Sequence, residues 1–272
     1  MPEAASPSRR AVLVATAALA GLALAPASAR AQVRPPKRVL FVVSNPAKAA
    51  ANGMEIGYWL PELAHPYWSF AQRGYALTIA SPKGGVVAHD QMSDPDGGRF
   101  GNPKDLVSLG FKHAPDVAKA LAQTVPLREV KFEDHDAIFV VGGFAPPTTF
   151  PSEPVLHELF ASFHASGKPT AAICHGTCVL LYAKGADGKP LAAGRRWTGY
   201  TNAEEDVVDR VFGMKFQPFR IEDEAGKIAG SNFVQGAPYR PHAVADGNLI
   251  TGQQGSSGHA TAELVVAALE KS

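Results

Sequence analysis

The chain has 272 residues, 46% of them hydrophobic and 19% charged, with a formal net charge of +1. That is ample apolar material for one large domain or two small ones. So small a net charge gives neither the basic field that nucleic acid attracts nor an acidic solvating tail, and both are set aside as partners.

The first thirty-odd residues read as a segment separate from the fold. Ser8-Arg9-Arg10 precedes an uncharged run from Ala11 to Leu24, followed by small residues in which Ala27-Ser28-Ala29 and Ala29-Arg30-Ala31 both fit an A-x-A cleavage pattern. The run falls short of the ~20 apolar residues that span a bilayer and matches the apolar core of an export signal. Paired arginines ahead of a mild, Ala-rich run resemble a twin-arginine signal, which carries folded proteins. Residues 1–31 are therefore expected to be a cleavable signal, the alternative being a retained amphiphilic tail. Residues 32–272 would then form a single mature domain, periplasmic or secreted and free of the membrane.

From Lys37 onward strand and helix patterns alternate. Short apolar, β-branched runs at 38–45 (RVLFVVSN), 75–82 (YALTIASP), 135–143 (HDAIFVVGG), 168–176 (KPTAAICHG) and 247–254 (GNLITGQQ) predict strands covered on both faces, with a further one at 196–200. Helical spacing appears at 56–74, where Trp59, Leu63 and Phe70 recur, and at 114–124. It recurs at 152–167, opened by Ser152 and closed by Gly167, and in the Ala-rich tail from Ser256. Such alternation predicts βαβ crossovers, hence an α/β, doubly wound, mainly parallel sheet with helices on both faces. Two segments fit less well. Residues 83–105 are Gly- and Asp-rich and read as an irregular insertion near the site, with Asp90, Asp94 and Asp96 as solvated turn acids, since their spacing misses a calcium loop. Residues 217–233 suit a hairpin or a short helix burying Ile221, Ala225 and Ile228, and the helix is preferred.

The chemistry concentrates at Thr170–Tyr182, TAAICHGTCVLLY, which holds both cysteines of the chain. Cys174 follows a strand and precedes His175-Gly176 and a helical run. In open α/β sheets ligands bind at the carboxyl ends of strands. A cysteine on a tight strand-to-helix turn, beside small Ala171, Ala172 and Gly176, would be presented to them. A following helix N-terminus would lower its pKa from ~8.5. The competing reading is a buried structural cysteine, which is the one preferred for Cys178, a helical turn further on. Cross-linking residues four apart closes almost no loop, so a structural disulfide is disfavoured. His65 and His242 read as packing or rim residues, and His259 as a first-turn polar residue.

AAICHG resembles the nucleophile elbow of the PfpI-like superfamily, whose fold is flavodoxin-like, that of class I glutamine amidotransferase domains. GYWLPELAHPYWSFAQRGY, FVVGG, WTGYTNAEED and DGNLITGQQGSS are similar, in the same order, to further segments of that superfamily. The nearest branch is that of the glutathione-independent, glyoxalase III-like or chaperone-like members. The resemblance implies Cys174 as nucleophile, Glu62 as its carboxyl partner and His175 as the adjacent imidazole. Glu205, or its neighbour Glu204, would orient that imidazole, and the Gly142-Gly143-Phe144 turn would supply an oxyanion and substrate pocket. A buried Glu62 beside sulfur should titrate high and move a proton. Glyoxalase-like members continue the glycine turn with His-Gly, where this chain has Phe144-Ala145, which favours a larger or more apolar substrate. Amidotransferase activity is set aside because its late His-x-Glu reads HAV and HAT here. The resemblance implies a cofactor-independent and metal-independent enzyme acting on a small carbonyl or amide substrate, in a family that often forms homodimers. Three functions remain in view: a glyoxalase working through a Cys174 hemithioacetal, a cysteine peptidase or amidase, and a redox-sensing or holding chaperone without turnover.

Overall fold

Alternate residues of each central strand pack on opposite helical layers, and this places the sheet in the middle of the molecule. The computed structural model describes residues 35–271, and from Pro36 on the chain forms one compact unit. The expected signal over 1–31 lies outside the described residues.

The main sheet is built from β1 (Arg38–Val42), β2 (Ala76–Ser81), β3 (Val125–Pro126), β4 (Ala137–Val140), β5 (Thr170–Ile173), β6 (Ala243–Asp246) and β7 (Leu249–Gly252). Their spatial order is β6-β7-β5-β4-β1-β2-β3. Every neighbouring pair is parallel except β6 with β7. Val39, Phe41, Phe139 and Ile173 face one layer, made with α1 (Leu60–Ala71), α2 (Leu106–His113) and α3 (Pro115–Ala122). Leu40, Val42, Ile138 and Val140 face the other, against Leu156, Phe160 and Phe163 of α4 (Pro154–Ala165). Apart from two single-turn helices at Pro146–Thr149 and Val179–Tyr182, the later helices are α5 (Asn202–Phe212), α6 (Ile221–Gly226) and α7 (Gly258–Lys271). Of these, α7 joins the first layer through Ala262, Val265 and Leu269, and α6 joins the second through Ile221 and Ala225.

Register then positions the site. Val42 pairs with Val140, Val140 with Ala172, and Ile173 with Gly252. The carboxyl ends of β1, β4, β5 and β7 are therefore flush. The chain runs to β2 and β3 on one side of β1 and to β4, β5 and β7 on the other, so the strand order reverses between β1 and β4. That reversal opens a crevice where ligands bind in such sheets.

Several expectations need correction. The strand expected at 196–200 shrinks to Arg196–Trp197 and pairs with Asn232–Phe233 outside the main sheet. Ser152 does not open α4. It ends a 3-10 turn, and Pro154 at the first helical position sets the start, its fixed φ suiting that place. The preferred helix in 217–233 is confined to α6, with Ile221 and Ala225 buried and Ile228 just beyond its end. The helix α2 and the antiparallel edge strand β6 were not anticipated.

Candidate active site

Cys174 leaves β5 with φ 56°, one of two non-glycine residues among those described with positive φ. A side chain in this region costs about 1–3 kcal/mol and persists only where its surroundings fix it. Here they do so by close approach. A Cβ on Gly176 would lie 2.7 Å from the Val141 carbonyl oxygen, and one on Gly199 would collide with Thr177 Oγ1. Thr177 Oγ donates to the Cys174 carbonyl at 2.6 Å, pinning the turn.

Glu62 arrives from the first turn of α1. The backbone N–H groups of Trp59 and Leu60 are received by the Gly142 carbonyl (3.1 Å) and Ser93 Oγ (3.1 Å), which fixes the helix start against the glycine turn. The Glu62 carboxyl is 1% exposed and contacts the Cys174 thiol and the Gly142 backbone. Burial holds it up at about 8, against the pull of those two contacts, with the charge of Asp90 adding to the rise. Measured from an ordinary 4.5, that is on the order of 5 kcal/mol in favour of the neutral acid. Its Oε2 makes no hydrogen bond of good geometry in the resting site. Such looseness is common before substrate closes the contact.

Cys174 itself corrects an expectation. Its thiol is raised well above the usual range, first by burial and then by Glu62, and the His175 backbone N–H offsets only part of this. The following segment is a five-residue 3-10 turn, Cys174–Cys178, rather than a helix with a strong N-terminal dipole. At neutral pH the pair therefore holds its protons. Cys178 faces the opposite core layer, fully buried, and both cysteines are free thiols.

The second chain of contacts runs the other way from sulfur. His175 Nδ1 lies 3.6 Å from Cys174 Sγ, and His175 Nε2 lies 2.9 Å from Glu205 Oε1. His175 and Glu205 are each 1% exposed. Glu205 and not Glu204 thus reaches the imidazole. Glu204 Oε2 instead completes a capping box with Thr201, while its Oε1 accepts from the Tyr239 N–H at 2.9 Å. Tyr200 covers the imidazole, ring centroids 4.2 Å apart.

These groups open into a pocket of about 580 Å3. Gly143 and Phe144 line it together with Cys174, His175 and Glu62. Gly142 does not; it serves Glu62 instead. A Cβ there would lie 2.5 Å from Glu62 Oε2 and 2.7 Å from Cys174 Cβ. Gly142→Ala is expected to push the carboxyl off the sulfur and lower kcat/KM roughly 100-fold, the scale of an ångström misplacement. Steady-state kinetics beside a thermal melt would check this, and a fall in melting temperature alone would show that Gly142 only packs.

Sequence reasoning missed several further neighbours. Asp90, read as a solvated acid, is 1% exposed. Its two oxygens accept from the Gly57 N–H (2.8 Å) and the Phe144 N–H (2.7 Å), so it ties the glycine turn to the approach of α1. Burial raises it to about 8. Nothing in HDQMSD shows which acid turns inward. Asp94, also read as solvated, is held by Lys112 at 2.7 Å. Tyr239, with φ 57°, and the aromatic pair Trp59 and Phe100 complete the pocket wall. The rim position of His65 holds: it lines the pocket with its Nε2 2.8 Å from Asp105 Oδ2. His242 does not reach the pocket.

An open parallel sheet with a strained cysteine at a strand end, a carboxyl on one side and an imidazole on the other, defines a nucleophile-elbow α/β protein. The DJ-1/PfpI family description matches residues 55–268, and the chain belongs to that family. Its fold is the flavodoxin-like, class I glutamine amidotransferase-like one. Among curated relatives, the glutathione-independent glyoxalase HSP31 of Saccharomyces cerevisiae is 28% identical over 242 residues, covering 86% of this chain and 99% of that protein. Glyoxalase 3 of Candida albicans is 26% identical, covering 81% and 92% respectively. Among solved structures, the Rapid Encystment Protein 24 KDa of Francisella tularensis aligns with a TM-score of 0.77 at 26% identity, covering 86% of this chain and 99% of that one.

Proposed function

We propose that this protein is a glutathione-independent glyoxalase that converts 2-oxoaldehydes to 2-hydroxy acids. The observation that carries the reading is the fully buried Glu62 carboxyl against Cys174, with a basicity suited to moving a proton near neutral pH. The names of the similar yeast proteins support the substrate class.

The steps balance without an outside oxidant. Cys174 sulfur bonds to the aldehyde carbon, and the thiol proton passes by way of the Glu62 carboxylate to the aldehyde oxygen, giving a hemithioacetal. Glu62, again a carboxylate, removes the hydrogen from that carbon and passes it to the neighbouring ketone oxygen as the electron pair forms an enediol. The same carboxylate then takes the proton of the first carbon's hydroxyl and delivers it to the second carbon. The first carbon is thereby oxidised to a thioester and the second reduced to an alcohol. Water, its proton taken by His175 held by Glu205 and returned to the departing sulfur, then displaces that sulfur and releases the hydroxy acid. The backbone around Gly143 would receive the oxyanion.

Purified protein should consume methylglyoxal and form lactate with no thiol added. Turnover that appears only on adding glutathione, or no turnover of any 2-oxoaldehyde, would refute the proposal.

A second reading has its own support: the Cys174–His175–Glu205 chain is also the arrangement of a cysteine hydrolase. Peptide and amide turnover with a trapped acyl-enzyme would favour it. Export through residues 1–31 and dimer formation are separate proposals, tested by N-terminal sequencing of fractionated protein and by its mass in solution.

A further inference from the structure

Substrate size is the question that the pocket answers most directly. A three-carbon dicarbonyl has about the bulk of a few waters, each ~30 Å3 in the liquid. The pocket measures about 580 Å3, within the ~300–1,000 Å3 range of sites for far larger ligands. One side of the excess space is walled by aromatic rings. Trp59 stands edge-on to Phe144, centroids 5.4 Å apart, and 6.3 Å from Phe100.

This wall is held from behind. Phe144 packs on Phe216 at 4.8 Å and on Phe212 at 6.2 Å, and those two rings stack at 4.1 Å. The Phe144 N–H is already taken by Asp90, so the turn offers the pocket a ring and no donor at that point. Phe100 is 39% exposed at the mouth, on backbone anchored by its N–H to the Met92 carbonyl at 2.8 Å. The nearest rim charges, His65 and Asp105, are paired with each other. The space beyond the reacting groups thus suits a flat apolar group and demands no charge from it.

Resting on the glyoxalase reading, we propose that the pocket is built for 2-oxoaldehydes bearing an aromatic ring, which lies against Trp59 and Phe100 while the dicarbonyl end reaches Cys174. Stacked and edge-on ring contacts add to what simple burial provides. The chemistry is unchanged: the ring substituent takes no part in bond making.

The test compares phenylglyoxal with methylglyoxal in the absence of thiol. The ratio of kcat/KM should favour the aryl compound about tenfold, equivalent to about 1.4 kcal/mol. In Trp59→Ala and in Phe100→Ala that ratio should fall severalfold, whatever happens to the absolute rates. Phe100 sits at the surface, so its variant guards against a misfolded Trp59 variant. A ratio near one in the wild type, or a ratio unmoved in both variants, overturns the inference while leaving the glyoxalase reading intact. If neither aldehyde turns over, that reading fails, and binding decides the inference. Mandelate should then protect Cys174 from iodoacetamide at concentrations about tenfold lower than lactate, and equal protection overturns it.

Discussion

Cys174→Ala is expected to lower kcat/KM for any 2-oxoaldehyde by roughly 10^3-fold or more, the scale seen when a nucleophile acting as part of a unit is lost. The fold should survive, because the lost sulfur contacts only a carboxyl that is itself costly to bury and an imidazole that Glu205 still holds. A companion variant separates chemistry from strain. Glycine enters a φ of 56° freely, whereas alanine does not. Cys174→Gly should therefore be equally inactive yet melt at or above Cys174→Ala, reversing the usual order in which glycine is the less stable. Activity retained in either variant would remove sulfur from the mechanism. The normal order of melting temperatures would show that the turn holds no strain.

Glu62→Gln should cost a similar factor and also change the response to pH. The carboxylate is the form that accepts both the thiol proton and the carbon-bound one, so wild-type kcat/KM should rise with pH toward a plateau centred on the Glu62 value of about 8. The apparent value belongs to the Cys174–Glu62 pair, since the two interact. Glutamine cannot ionise, and its residual rate should lack that limb. Stability moves in the opposite sense. An acid whose folded pKa is raised stabilises fully below about 4.5 and loses that contribution as pH climbs through about 8. The variant should thus match wild type near pH 4 and melt higher than wild type at pH 9. Asp90 imposes a similar slope, raised to about 8 by its burial, but it is common to both proteins and drops out of the comparison. Rate profiles and melts at matched pH would check both signs.

A residue is legible in the sequence when what it needs is local. The β-branched runs around Val39–Val42 and Ala137–Val140 are buried on both faces, and that need is written into composition. Cys174 was legible because a tight turn demands the small neighbours beside it. The choice between Glu204 and Glu205 was not. Both sit buried on the first turn of α5, and only the three-dimensional cap at Thr201 commits one of them elsewhere. Asp90 was misread for the same reason: its partners, Gly57 and Phe144, are 33 and 54 residues away. The sign of the Cys174 shift failed on length. A helix dipole strong enough to favour thiolate requires a helix, and the chain provides a 3-10 turn followed by Val179–Tyr182, a single helical turn.

At rest the site holds a neutral carboxyl against a thiol. Infrared difference spectra between wild type and Glu62→Gln, followed from pH 6 to pH 10, observe that group directly. The protonated carboxyl stretch of Glu62 should be present at pH 7 and fade through about 8. A difference spectrum showing only ionised carboxylate at pH 6 would contradict it.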